Sequence, residues 1–489
     1  MTPSTAQRAG NRDSAPPVSE VSLYAKRQHI YQQEVQGPWQ RRRALALFLL
    51  AGVFFAAPWL TWSGRQAIWF DLPNRKFYLF ALTFWPQDFI FLSWMLMIAA
   101  FSLFFFTALA GRLWCGYACP QTVWTKFFMW IEWLVEGDRN DRIRLDRNRW
   151  SAAKLARKAG KHGAWLLLAL AVSLTFLGYF TPIRALLPRF ANAGLGGWET
   201  FFAAFFTAAL YLDAGWMREQ ICKYACPYAR FQGAMFDTNT LTIFYDGGRG
   251  EPRGHRARAA DRGAGGLGDC IDCGLCVRVC PTGIDIRNGT QYECIGCAAC
   301  IDACDGVMDE MGYAKGLVRY ASETSLRTGH LRILRPRVVA YGVILALITS
   351  TFAYALSQRV PLRVDVLHDR ARLYRMTHDG LVENTYTLKI MNLDQQPHAY
   401  AIAAGGLEHL TLVAPGDIRV APGEIADVPV RLQAPPDRRA EQSRDVHFRI
   451  SALDAPALAV RETSRFIAPA PPREAHEAHE GHEAHPEHE

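Results

Sequence analysis

Hydrophobic positions are not spread evenly along this chain. They collect in five nearly charge-free runs, Ala44 to Trp62, Phe89 to Ala110, Ala164 to Phe180, Trp198 to Trp216 and Val338 to Leu356, with polar segments between them. About 20 apolar residues in a helix cover the roughly 30 Å of a bilayer's hydrocarbon, so each run predicts a transmembrane helix. After the fifth run the period changes. Short alternating segments, among them Leu362 to Leu367, Tyr386 to Asn392, Ile425 to Leu432 and Val446 to Ala452, are broken by turns such as Asp379-Gly380 and Pro422-Gly423. That pattern predicts an antiparallel sandwich of immunoglobulin-like size.

Charge orients the runs. Lys and Arg crowd the N-terminal side of the first run (Arg41, Arg42, Arg43), the segment after the second (Arg139 to Lys161) and the approach to the fifth (Arg327 to Arg337). The segments 63–88 and 181–197 are poor in them. The positive-inside rule then predicts a cytoplasmic N-terminus and an exported C-terminal domain. The basic residues flank the apolar runs without interleaved aromatics, so the net charge of +8 argues for a membrane and against nucleic acid. A cleavable signal is not expected, because Arg41 to Arg43 lie far in and no small-residue cleavage site follows before Trp59.

The twelve cysteines all fall between Cys115 and Cys304. Thiols persist where the compartment is reducing, and the segment assigned to the outside has none, in agreement with the charge argument. Eight form Cys270-x-x-Cys273-x-x-Cys276-x-x-x-Cys280-Pro281 and Cys294-x-x-Cys297-x-x-Cys300-x-x-x-Cys304. In such tandem runs three thiolates from one loop serve one cubane, and the fourth cysteine serves its neighbour. The expected sets are Cys270, Cys273, Cys276 and Cys304 on one 4Fe-4S cluster, and Cys280, Cys294, Cys297 and Cys300 on the other. Zinc would want two well-separated pairs instead.

The other four cysteines form a repeat. Cys115-Gly116-Tyr117-Ala118-Cys119-Pro120 follows the second run and Cys222-Lys223-Tyr224-Ala225-Cys226-Pro227 follows the fourth. Runs one to two and three to four therefore look like two copies of a hairpin, each delivering a dithiol to the same membrane surface. If each motif is helical, its two sulfurs share a face, and packed hairpins bring Cys115, Cys119, Cys222 and Cys226 together. Such a soft site suits Cu(I), zinc or an iron-sulfur cluster. The plain alternative is four structural thiols in an aromatic interface. Of the intramembrane carboxylates, Glu199 is expected to reach the interface and Asp213 to pair with Arg218.

These features set the organisation: an N-terminal tail (1–43), a four-span region with both Cys-x-x-x-Cys-Pro motifs (44–245), a Gly/Arg-rich linker (246–268), a bacterial-type two-cluster ferredoxin domain (269–310), a fifth span (338–356), an immunoglobulin-like domain (360–468) and a His-rich tail (469–489). The fold class is a multi-domain membrane protein: an α-helical bundle of about five spans, a cytoplasmic ferredoxin domain and an all-β sandwich. The first 40 or so residues read as a mobile tail, and the linker as a flexible tether. His476, His479, His482, His485 and His488 suit copper, nickel or zinc, or are a solvated low-complexity tract.

Gly64-Arg65-Gln66-Ala67, Phe70-Asp71-Leu72-Pro73, Phe84-Trp85-Pro86-Gln87-Asp88, the paired Cys-x-x-x-Cys-Pro motifs, Arg249 to Gly254 and Cys280 to Arg287 together resemble the FixG/RdxA/CcoG family. These are accessory proteins of cbb(3)-type cytochrome c oxidase assembly. The resemblance spans roughly Ser22 to Phe466. It implies a multi-pass protein of the bacterial cytoplasmic membrane that reduces Cu(II) to Cu(I), a cupric reductase with two 4Fe-4S clusters. It also implies copper at Cys115, Cys119, Cys222 and Cys226, with oxidase subunits or copper chaperones as partners. Apart from the resemblance, a quinol or a cytoplasmic reductant is the expected electron donor, and the oligomeric state stays open between a monomer and a homodimer. The competing expectations are an electron conduit like the iron-sulfur quinol dehydrogenases, and an assembly scaffold with structural clusters.

Overall fold

A computed structural model describes residues 29–257, 266–436 and 442–469. Five helices are long and apolar enough to cross a membrane: Pro38–Trp59, Phe89–Ala110, Ala152–Leu177, Gly197–Met217 and Pro336–Ser357. Pro38 and Pro336 open their helices where a missing N–H costs nothing. The third begins at Ala152, well ahead of the apolar run at Ala164, because the Ser151 hydroxyl caps the Lys154 N–H at 3.2 Å. The added turns carry Lys158 and Lys161, which meet the buried Glu136 at 3.0 and 2.9 Å.

Glu136 ends a helix that apolar runs did not reveal, Pro120–Glu136, packed against the third span. On the same helix Glu132, 3% exposed, takes Arg142 at 2.9 Å and Arg218 at 3.1 Å. Burial pushes the Glu132 carboxyl up, but Arg218 and Arg142 outweigh it and hold it below the usual range. Removing one partner of such a buried set costs about 3–5 kcal/mol. Arg218 is thus engaged by Glu132. The expected pairing with Asp213 is not made: among the described ion pairs Asp213 has none, and only its backbone carbonyl accepts from the Arg218 N–H. Glu199 binds Arg189 at 2.9 Å and accepts from the Gly196 N–H, holding the start of the fourth span.

At one end of the bundle lies the ferredoxin unit. Strand Thr242–Tyr245 pairs antiparallel with Val318–Ala321, so the unit closes outside its cysteine loops. The tail before the first span is packed where it is described. Gln33 N–H and the Gln32 side-chain amide donate to the carbonyls of Arg278 and Val279, and Lys126 binds Glu34 at 2.8 Å. The N-terminus of the first span is capped by Asp302, whose carboxylate accepts from the N–H groups of Trp39 and Gln40 at 3.2 and 2.7 Å. The described part of the Gly/Arg-rich arm is also seated: Arg249 bridges Asp269 at 2.5 Å and Gly254 N–H donates to Cys270. The segment read as a free tail therefore ties the ferredoxin unit to the helices, and the one read as a tether is folded onto the ferredoxin unit itself. Residues 1–28 and the histidines of the C-terminal tail lie outside the described residues.

At the other end, strands Ile68–Asp71, Lys76–Leu79 and Leu82–Phe84 form a small sheet that the sequence patterning missed. It meets the C-terminal sandwich, where Lys76 donates to the Gly423 carbonyl at 2.6 Å and Trp85 packs on Met391 and Leu393. Arg359, just past the fifth span, binds Asp88 at 2.6 Å. The sandwich itself is as expected. One sheet runs Thr411–Val413, Ile425–Ala434, Val382–Asn392, Leu362–His368, and the other Arg419–Val420, His398–Gly405, Ser443–Ala452, Ala459–Ile467. Alternate residues Tyr386, Leu388 and Ile390 face Phe448 and Ile450 in a core with no measurable exposure.

Candidate metal centres

The two halves of the ferredoxin unit repeat their backbone. Asp272 and Gly274 have positive φ (49° and 65°), as do Gly296 and Ala298 (66° and 60°), each pair two and four residues after the leading cysteine. Left-handed residues alternating with ordinary ones turn successive N–H groups inward, a concavity suited to an anionic cluster. Short helix Leu275–Arg278 then carries Cys276, and Ala299–Met311 carries Cys300 and Cys304.

Cys270, Cys273, Cys276 and Cys304 line one cavity with Met308, Leu317 and Val318. Cys280, Cys294, Cys297 and Cys300 are mutual electrostatic neighbours. The fold thus places near one another the cysteines that spacing groups crosswise. Cys300 also faces Cys276, so the two sets adjoin. Burial, then the neighbouring thiols, drives these groups upward: Cys276 to about 11, Cys294 and Cys304 to about 12, and Cys300 well above its ordinary value. As free thiols they would be protonated. Their thiolates need a bound cationic core, and loading it releases protons.

The second constellation is built from the repeat. Cys115 lies in Leu113–Tyr117 and Cys222 in the π-helical turn Ile221–Ala225, while Cys119 and Cys226 are extended N-caps of helices opening with Pro120 and Pro227. Each motif is therefore broken at its second cysteine, not one continuous helical turn as expected. The repeat extends upstream: four residues before each first cysteine, Gly111 (φ 55°, ψ −115°) and Arg218 (φ 45°, ψ −114°) share one rare conformation. Glycine takes it freely. Arg218 is held in it by its guanidinium contacts to Glu132 and the Gly215 carbonyl.

The four thiols converge. Cys115 and Cys222 each feel Cys119 and Cys226, and Cys222 also feels Cys115. Burial first, then the neighbouring thiols, pushes Cys115 to about 11 and Cys222 to about 12. Cys115 donates to the Gln232 side-chain oxygen at 3.2 Å. Among the described residues no three His, Cys, Asp or Glu side chains close to single-ion distance. Ligands around a cubane stand wider than those of one ion, and Cu(I) is satisfied by two thiolates, so the donor set suits either occupant.

What sequence reasoning missed is the junction. Gly116, inside the first motif, lies against the Cys294–Cys297 loop so closely that a Cβ on it would stand 2.7 Å from the Gly296 carbonyl oxygen. Cys115 and Cys222 pack on a core of Val279, Ile295 and Cys297. Arg112, 4% exposed, is the cation that pulls Cys115, Cys222 and Cys294 down together, against burial. The order in space is quartet, second cysteine set, first cysteine set. Only Gly116 in the first Cys-x-x-x-Cys-Pro motif and Gly296 in the second ferredoxin loop hinted at this close approach.

A five-helix scaffold of membrane length bearing a two-set ferredoxin unit and an immunoglobulin-like domain defines an iron-sulfur electron-transfer protein. Residues 217–323 match a family described as a 4Fe-4S dicluster domain, 92–136 a 4Fe-4S binding domain, and 352–469 the IG-like fold at the C-terminal of FixG. The Nitrogen fixation protein FixG of Rhizobium meliloti is 36% identical, covering 86% of this chain and 89% of that one. Proteins RdxB and RdxA of Cereibacter sphaeroides are 40% and 38% identical over 85% and 84% of this chain, and 89% and 94% of theirs. The crystal structure of a FixG-related protein from Vibrio parahaemolyticus is 32% identical over 22% of this chain and 96% of that one, with a TM-score of 0.20. The chain belongs to the FixG/RdxA family.

Proposed function

We propose that this protein reduces Cu(II) to Cu(I) at Cys115, Cys119, Cys222 and Cys226, for assembly of a cbb(3)-type oxidase. The observation that carries the reading is the convergence of two dithiols directly against the second ferredoxin loop. Cys270, Cys273, Cys276 and Cys304 would hold one 4Fe-4S cluster and Cys280, Cys294, Cys297 and Cys300 the other; once bound, the clusters exchange single electrons. Cu(II) is the substrate. The thiolates prefer the reduced ion, so their pairing favours the electron's arrival. Arg112 offsets the charge of thiolates on both sides of the junction. Gly116 and Gly296 keep the separation short.

In this reading the N-terminus and ferredoxin unit are cytoplasmic and the sandwich is exported, which the Lys/Arg-rich segments around the ferredoxin end support. The sandwich, with no cysteine, would dock an oxidase subunit or a copper chaperone. The test is Cu(I) formation by the anaerobic full-length protein with a Cu(I)-specific chelator. Cys119→Ala/Cys226→Ala is expected to lower the rate at least about tenfold with iron content unchanged. Wild-type rates from that variant would rule the quartet out.

The match of residues 92–136 to a 4Fe-4S binding domain favours a second reading, a conduit with a third cluster at the quartet. About eight irons per chain supports the first reading, and about twelve the second.

A further inference from the structure

Beside the quartet lies a cavity of about 570 Å³ between the first, third and fourth spans and helix Pro120–Glu136. Its walls include Leu50, Phe54, Trp124, Phe176 and Phe206, and its floor includes Ala118 and Pro120, the residues on either side of Cys119. The volume lies within the range of small-molecule sites. Two polar side chains line it. The Ser173 hydroxyl is committed to the Ala203 carbonyl at 2.9 Å. Asp213 is different: the Gln121 side chain serves its carboxylate, but Oδ1 is buried and accepts no hydrogen bond among the described residues. Arg218, its nearest cation along the chain, is turned to Glu132 and the Gly215 carbonyl.

A carboxylate within a membrane-length helix is costly, and one with an unused acceptor at an apolar cavity points to a donor brought by a ligand. That ligand must be lipid-soluble, carry a flat head that packs on Trp124 and Phe54, and present a hydroxyl. A lipid acyl chain would fill the space but leave Asp213 Oδ1 without a donor.

We propose that this cavity binds a membrane quinol and that Asp213 accepts its hydroxyl proton, making quinol the electron donor of this protein. The proposal rests on the reading of the quartet as the place where Cu(II) is reduced. The overall step is QH2 + 2 Cu(II) → Q + 2 Cu(I) + 2 H+. Both O–H bonds break, the protons leave in turn by way of Asp213 Oδ1, and the electrons leave past Cys119. A quinol gives two electrons where each Cu(II) takes one. The ferredoxin cysteine sets adjoin the quartet on its other side, and clusters held there would supply a store for the second.

The test uses full-length, cluster-loaded protein in nanodiscs. A photoreactive azidoquinone is expected to label residues 118–124, 172–176 or 206–213, and excess decylubiquinol to suppress that labelling. Asp213→Asn and the cavity-filling Ala209→Trp are expected to lower the ratio of decylubiquinol-driven to dithionite-driven Cu(I) formation at least about a hundredfold, the lower end of what a positioned base contributes. An unchanged ratio in Ala209→Trp, or labelling elsewhere that decylubiquinol does not displace, overturns the proposal. If Asp213→Asn does not fold, the wild-type labelling and Ala209→Trp decide. Absence of dithionite-driven Cu(I) formation in wild type would defeat the copper reading alone, since the labelling judges the cavity separately.

Discussion

The two ends of this molecule are held together differently. The sandwich closes on apolar side chains, with Tyr386, Leu388, Ile390 and Phe448 fully buried between its sheets. The ferredoxin end divides its apolar core into small clusters, around Ile301, Val279 and Met308, with cysteines packed into each, and beside them buries Arg112, Lys126, Arg142 and Arg218 and the carboxylates Glu132 and Glu136. Burial raises the thiols of Cys276, Cys294, Cys300 and Cys304, so that unliganded they are protonated. Cohesion there depends on what the cysteines bind, and cohesion of the sandwich does not.

Iron removal should separate the two ends most sharply. Thiolate metal sites contribute on the order of 10 kcal/mol to the domains they hold. Anaerobic chelation is therefore expected to open residues 266–321 to amide hydrogen exchange, while Val382–Asn392 and Ser443–Ala452 keep wild-type protection. Equal loss at both ends would mean the sandwich leans on the clusters. A smaller effect is expected from Gly116→Ala. Its Cβ would meet backbone on the Gly296 side, which cannot swing away, and overpacking of this kind costs about 1–3 kcal/mol. Slower Cu(I) formation with iron content and sandwich protection intact would place its effect at the junction.

The smallest effect belongs to the sandwich. Buried His398 is held by Asp394 at 3.0 Å and Asp454 at 2.8 Å. Burial alone would lower its pKa, but the two carboxylates outweigh it and raise it above the ordinary value. A raised folded-state pKa contributes stability that is fully present below about pH 6.5, the unfolded value, and is lost as pH rises through the folded one. The sandwich should melt a few degrees lower at pH 9 than at pH 6. His398→Asn should flatten that dependence, and the ferredoxin end should not share it.

The same contrast explains what could be read in advance. Spacing declared the cysteine sets because ligand geometry is local: Cys270 to Cys304 must reach fixed cores. Period-two alternation declared the sandwich, since Tyr386, Leu388 and Ile390 face one way. Apolar runs located the five long helices but missed their polar extensions, such as the turn carrying Lys158 and Lys161 to Glu136. Contacts between distant segments left no pattern. Asp302 capping the first span, the Gly116 approach to Gly296 and the turning of Arg218 away from Asp213 each join elements far apart in sequence. Gly111 and Arg218 hid their equivalence because the chain meets one backbone shape by two means, a missing Cβ and an anchored guanidinium.

The central claim is that electrons held at the ferredoxin cysteines leave through the quartet. It is tested most directly by stopped-flow absorbance of dithionite-reduced, desalted protein mixed with Cu(II) and a Cu(I) chelator. The account predicts that cluster reoxidation and Cu(I) appearance share one rate in wild type, and that both slow at least about tenfold in Cys119→Ala/Cys226→Ala with iron content intact. Reoxidation at the wild-type rate in that variant would contradict it.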